Sequence, residues 1–145
     1  MEAEWTHPGQ RWRLLAPAGA VVIDIAAGPL AVRRAAARLT DLPAGSPVVL
    51  LDRRPGSAWR ARRLAAAGVI SIEGRYVALP SLRRAVVLAE DSADVLRWAC
   101  RSLVAPPPGA AWAHGPLHAA IAVARRWPRL VGWLAAGRVV IGRTA

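Results

Sequence analysis

The chain contains no lysine, no phenylalanine and only one cysteine, Cys100. A single cysteine excludes an intrachain disulfide and a cysteine-rich metal site, and it is compatible with a reducing cytosol. The first residues are acidic rather than apolar, so we expect no secretory signal peptide. No run of about 18 apolar residues lacks both charges and helix breakers, so no membrane-spanning helix is expected. These absences predict a cytoplasmic domain, with peripheral attachment to a membrane left open.

Arginine supplies all of the positive charge. The 20 arginines and nine acidic residues give a formal net charge of +11. Such a charge indicates an anionic partner, either nucleic acid or an anionic membrane surface. Codon bias in a GC-rich genome is the alternative, since the chain is also rich in alanine, glycine and proline. Five arginines cluster on and before one predicted helix: Arg53, Arg54, Arg60, Arg62 and Arg63. A second segment, residues 125–143, mixes arginine and tryptophan with aliphatic residues, as segments that bind at a membrane interface do.

Hydrophobic patterns predict the element order β-α-β-α-β-β-α-α-α-β. Short β-branched runs indicate buried strands, and apolar residues at helical spacing indicate amphipathic helices. The predicted strands are residues 20–25, 47–52, 69–73, 85–89 and 138–142. Residues 76–80 are predicted to be extended or to form a further short strand. The predicted helices lie between Pro29 and Leu42 and over residues 58–67, 92–104, 117–124 and 128–136, with Ser92 as a helix cap.

Alternation of strands and helices in the first two-thirds of the chain implies βαβ units. We therefore predict an α/β Rossmann-like three-layer sandwich with a mainly parallel sheet and extra C-terminal helices. Residues 1–13 are predicted to form a flexible N-terminal arm, followed by a single domain over residues 14–145. Within that domain, residues 14–109 form the core and residues 110–145 a helical extension with a closing strand.

Four segments resemble motifs of class I S-adenosylmethionine-dependent methyltransferases. Residues 22–30, VIDIAAGPL, are similar to the first motif of that family, a strand followed by an acid and a glycine-rich turn. Residues 48–55, VVLLDRRP, resemble the second motif, in which an acid ends the second strand. The helix over residues 59–68 and the proline-rich turn over residues 102–109 are also similar. The resemblance covers about residues 20–109, in a shortened chain with a degenerate glycine motif.

This resemblance implies S-adenosylmethionine as the cofactor. The residues that would bind it are Asp24, Ala26, Gly28, Asp52 and Arg53. Gly28 would approach the methionine part, and Asp52 would accept hydrogen bonds from the ribose. Only the middle one of the family's three glycines, Gly28, is present. A second alignment, in which residues 62–80 match the late part of larger methyltransferases, contains no cofactor residue, and both alignments stay open.

Two functions follow from these patterns. The resemblance implies either a small methyltransferase or a catalytically inactive accessory subunit that pairs with a partner enzyme. Exposed sheet edges and abundant Trp and Arg favour a protein partner, as a hetero- or homo-oligomer. The alternative function is an Arg-rich binding module for nucleic acid or an anionic membrane surface. No catalytic residue is assigned.

The remaining candidate residues indicate structural roles. His114 and His118 are four residues apart, but the sequence places no further ligands beside them, so no metal is expected. Glu90 and Asp91 follow the fourth predicted strand, where capping of the next helix by Asp91 or Asp94 is favoured over catalysis. Cys100 falls on the apolar side of its helix, which predicts a buried and inert thiol.

Overall fold

The computed structural model describes residues 8–26, 30–54, 57–79, 82–85, 87–102, 119, 122–135 and 137–145. Five strands form one sheet: β1 (Val21–Asp24), β2 (Pro47–Asp52), β3 (Ile70–Leu79), β4 (Val87–Glu90) and β5 (Arg138–Thr144). The labelled helices are α1 (Ala31–Thr40), α2 (Ser57–Ala66), α3 (Ala93–Ser102) and α4 (Pro128–Leu134). Residues 122–126 are helical before α4, and two 3-10 helices span Pro8–Leu14 and Leu82–Arg84. The predicted order of elements is confirmed over the described residues.

The sheet has the strand order β1-β2-β5-β3-β4. Among the described strands, only β1 and β2 are paired in parallel, whereas β2–β5, β5–β3 and β3–β4 are antiparallel pairs. The prediction of a Rossmann-like three-layer sandwich with a mainly parallel sheet is therefore wrong. The short link between β3 and β4 cannot make a parallel crossover. The predicted closing strand, β5, lies antiparallel in the middle of the sheet, so β2 and β3 are never adjacent.

All four labelled helices cover the same face of this sheet, which we call the helical face. Leu39 of α1 and Leu64 of α2 share a buried cluster with Leu50 of β2 and Val140 of β5. The strands β1, β2 and β3 run in the same direction and advance across the sheet without reversal. Right-handed crossovers between them therefore place α1 and α2 on one side. Among these described parallel strands there is no switch point, the feature that creates the ligand crevice of doubly wound sheets.

A second cluster on the helical face belongs to the other half of the sheet. Val77 of β3 packs with Leu96 of α3 and with Ala135 at the end of α4. Val77 is paired with Arg138, two residues before Val140, so both clusters lie on the same face. The helices thus form two groups, α1 with α2 and α3 with α4, each over its own part of the sheet.

The opposite face is covered by short irregular segments. Trp12 of the first 3-10 helix packs there with Leu51, Leu82 and Val139, and only 9% of Trp12 is exposed. Trp12, which lies in the segment predicted to be a flexible arm, therefore contributes to the core of this face. A single buried tryptophan in a polar stretch gives no helical or strand periodicity, so its role was not visible in the sequence.

Gly142 allows β5 to fit between its two neighbours. A Cβ atom at this position would lie 2.3 Å from the Ser71 carbonyl oxygen and 3.0 Å from Ile70 Cδ1. We expect the substitution Gly142→Ala to lower the free energy of unfolding by about 1–3 kcal/mol, because a backbone atom has to move in a packed sheet. Urea denaturation followed by circular dichroism measures this loss. An unchanged unfolding midpoint would contradict the close approach of β5 to β3.

Candidate functional site

Asp24 and Arg53, two of the predicted cofactor residues, form a solvent-exposed ion pair. Arg53 Nε lies 3.3 Å from Asp24 Oδ2, and both side chains are more than one-third exposed. The other carboxylate oxygen of Asp24 accepts a hydrogen bond of 2.9 Å from the amide of Ala26, which is itself buried. Asp24 thus organises the turn at the end of β1, and an exposed ion pair of this kind contributes about 0–1 kcal/mol.

Asp52, the predicted ribose ligand, is buried at the end of β2 and is held by Arg60 of α2. Its side chain is only 2% exposed. Arg60 Nη2 donates to Asp52 Oδ1 over 2.9 Å, and Arg60 Nε donates to Oδ2, so the pair is bidentate. The amide of Arg54 donates to Oδ1 over 3.0 Å. Both oxygens are therefore engaged, and a ribose diol would have to displace Arg60 to reach them.

The two strand-end acids lie on opposite faces of the sheet. Asp24 is in register with Leu51, whose side chain is buried beneath the 3-10 helices. Asp52 follows Leu51 and shares the helical face with Leu50. Gly28 lies outside the described residues. The structure therefore brings Asp24, Ala26 and Arg53 together but separates them from Asp52, and a cofactor site at these residues stays a prediction.

A groove of about 1070 Å³ lies on the helical face between α2 and α4. Arg62 of α2 lines one wall, and Trp127, Arg129 and Trp133 line the other. We call α4 together with Trp127, the residue before it, the α4 segment. Residues of β3 and β5 form its floor, and the turn from β4 to α3 closes one end. The groove exists because the two groups of helices cover separate parts of the sheet.

Arg138 and Asp91 form a largely buried ion pair at the floor of this groove. Arg138, at the start of β5, is only 3% exposed and donates through Nη1 to Asp91 Oδ2. Its Nη2 donates to the Gly132 carbonyl oxygen of α4 over 2.6 Å. A Cβ atom on Gly132 would lie 2.9 Å from Asp91 Oδ1, so glycine permits this close approach. The pair therefore ties α4 to β5 and to the end of β4.

Positive charge remains in excess along the groove after the acids are paired. Of the two aspartates in its lining, Asp91 binds Arg138, and Asp94 binds Arg97 over 2.9 Å. Three further lining arginines are exposed and form no ion pair with any described residue. They are Arg62, Arg75 and Arg129. Three exposed arginines from three different elements therefore line one open space.

The sequence indicated parts of this groove but not their combination. Arg62 belongs to the arginine cluster that the sequence singled out, and Trp127, Arg129 and Trp133 belong to the arginine- and tryptophan-rich segment over residues 125–143. These segments are more than 60 positions apart in the chain. They meet only because β5 enters the sheet between β2 and β3. Arg75 carried no signal of its own, since it lies in a strand that the sequence divided into two.

The other candidate residues supply no further site in the described part of the chain. Asp91 binds Arg138 instead of capping α3, whereas Ser92 Oγ accepts a hydrogen bond from the Val95 amide, as a cap does. No group of three or more His, Cys, Asp or Glu residues comes together among the residues described. The histidines His114 and His118 and the turn over residues 103–109 lie outside those residues, as does the side chain of Cys100.

Among the described helices, none has the length and apolar character needed to cross a membrane.

Comparison with models of protein families, with curated proteins and with solved structures finds no match to this chain. What the chain binds therefore has to be inferred from its own residues.

Proposed function

We propose that this chain is a nucleic-acid-binding module whose groove between α2 and α4 holds the phosphate backbone. One observation carries the proposal: Arg62, Arg75 and Arg129 converge on a single groove and have no acidic partner among the described residues. A guanidinium group matches two phosphate oxygens through parallel hydrogen bonds. Phosphate contacts of this kind supply most of the sequence-independent affinity of nucleic-acid-binding proteins.

The shape of the surface favours a polymer over a membrane. Interfacial membrane binding uses an amphipathic helix that lays its apolar face on the lipid. Here the arginines and the exposed Trp127 and Trp133 line a concave space instead of a flat or protruding face. A nucleic acid strand is narrow enough to enter a groove, whereas a bilayer surface is not. The net charge of +11 would also attract a polyanion over a distance.

The test is fluorescence anisotropy with a short fluorescein-labelled oligonucleotide, added as a single strand and as a duplex, over a range of salt concentrations. With three phosphate contacts, the observed binding constant should fall with salt with a log–log slope of about −2 to −3. Replacing Arg75 or Arg129 by alanine should weaken binding of every sequence and reduce the magnitude of this slope by about 1. Each guanidinium that is removed leaves one phosphate with its counterions. Fewer counterions are then released on binding, so the slope is smaller.

Arg33→Ala is the matched control, because Arg33 is exposed on α1 and does not line the groove. It removes the same charge and should leave affinity and salt slope nearly unchanged. The proposal fails if neither form of the oligonucleotide binds at low salt, or if polyglutamate competes as well as unlabelled nucleic acid. Binding only to anionic vesicles would support a membrane partner instead. Calorimetry with S-adenosylmethionine tests the cofactor prediction separately, and folded protein that gives no heat would remove it.

A further inference from the structure

The α4 segment presents apolar side chains to the groove at regular spacing. Trp127, Leu130 and Trp133 all line the groove, and each is three positions from the next. Leu130 and Trp133 lie on the same side of α4 because they are three positions apart in the helix, and Trp127 is the residue immediately before α4. Trp127 is 57% exposed and Trp133 is 58% exposed. Two tryptophans with large exposed fractions therefore lie in a groove that is also lined by three exposed arginines.

We propose that this groove selects single-stranded nucleic acid, with unpaired bases stacked on Trp127 and Trp133. The inference rests on the proposed function and adds which form of nucleic acid the groove binds. Arg129 is four positions before Trp133, so a guanidinium group and an indole ring are neighbours on α4. A phosphate held by the arginine would leave its base within reach of the ring.

A duplex cannot use these two rings. In a double helix, the flat faces of the bases are covered by their neighbours, and a base reaches an aromatic side chain only after it leaves the stack. Single strands expose those faces, and each base has one whatever its sequence. An indole ring inside a positively charged groove is therefore a stacking surface for unpaired bases, with little preference for sequence.

Other exposed tryptophans lack this combination. Trp98 of α3 is 62% exposed but does not line the groove. Trp59 of α2 is also exposed, and the guanidinium of Arg63 already lies over its ring, 4.7 Å from the centroid. Of the tryptophans that the structure describes, only Trp127 and Trp133 line the groove, and these two are assigned to base stacking.

The experiment compares a single strand with a duplex of the same sequence, measured by anisotropy and by quenching of tryptophan fluorescence. We expect the single strand to bind more tightly. Replacing Trp133 or Trp127 by alanine should weaken single-strand binding about tenfold, in the range that base–aromatic stacking contributes, and should reduce the quenching. Trp133→Phe should retain most of the affinity because it keeps an aromatic face, whereas Trp133→Leu should lose it. Trp98→Ala is the matched control and should bind as the unchanged protein does.

The possible outcomes distinguish base stacking on the tryptophans from nucleic-acid binding, the proposed function on which it rests. Equal affinity for the single strand and the duplex, with Trp127→Ala and Trp133→Ala unchanged and Arg129→Ala weakened, would overturn base stacking and leave nucleic-acid binding in place. Loss of affinity in Trp98→Ala equal to that in Trp133→Ala would also overturn it. No binding of either form would overturn both proposals. Circular dichroism of each variant establishes that a lost affinity is not a lost fold.

Discussion

Replacing Arg138 by methionine is expected to lower the free energy of unfolding by about 3–5 kcal/mol. Arg138 is buried, and its guanidinium binds the carboxylate of Asp91 and the carbonyl oxygen of Gly132. Methionine fills similar volume but leaves the Asp91 carboxylate, which is only 20% exposed, without its cation. The cost comes from this uncompensated charge at the floor of the groove. Urea or thermal denaturation measures it.

The other arginine of β5, Arg143, provides the control. Arg143 binds Glu73, but both side chains are about half exposed. The substitution Arg143→Met should therefore change the free energy of unfolding by at most about 1 kcal/mol. A double variant, Arg138→Met with Asp91→Leu, should recover much of the lost stability, since it removes the stranded charge. Equal losses in Arg138→Met and Arg143→Met would contradict a buried pair.

Replacing Asp52 by alanine should cost about 3 kcal/mol or more, because it leaves the Arg60 guanidinium in a mostly buried position without its carboxylate. The Arg60 side chain is 19% exposed, and Asp52 accepts hydrogen bonds from it and from the Arg54 amide. This loss of unfolding free energy comes from the broken Asp52–Arg60 pair, so it should be the same with or without S-adenosylmethionine. Chemical denaturation with and without the cofactor separates the two roles.

Asp24→Ala is the comparison variant for this second prediction. Asp24 ends the neighbouring strand and is also paired with an arginine, but that pair is exposed. Its removal should change stability by no more than about 1 kcal/mol. If Asp52→Ala is as stable as Asp24→Ala, the buried bidentate pair does not hold α2 on the sheet.

The individual elements could be predicted because their signals are local. The strand Pro47–Asp52 agrees with its predicted bounds, since its β-branched and aliphatic run is short and is bounded by turn residues. The helix Ser57–Ala66 differs from its prediction by one residue at each end. Strand pairing depends on residues that are far apart in the chain. The hydrophobic run over residues 138–144 does not indicate which strands will be its neighbours. The prediction of a parallel sheet came from element order alone and was wrong for that reason.

The candidate site was predictable only in its parts. Acids at the ends of β1 and β2 were located correctly along the chain, but the register that puts Asp24 and Asp52 on opposite faces depends on pairing with β2 and β5. The arginines that stay exposed could not be distinguished from those that pair. Arg60 and Arg62 are two positions apart on α2, and only the structure shows that Asp52 binds the first.

The central position of β5 has a consequence for how the protein is made. Of the described strands, β5 is synthesised last, yet it is the one that joins β2 to β3. Until β5 has been synthesised, β1 with β2 and β3 with β4 can form only as separate pairs. The inner edges of these pairs, the edges of β2 and β3 that will later pair with β5, then have no partner strand. The contacts that unite them span some 90 residues for β2 with β5, and such long-range pairing slows folding. We therefore expect assembly to finish only after β5 has left the ribosome, with the inner edges exposed to aggregation until then.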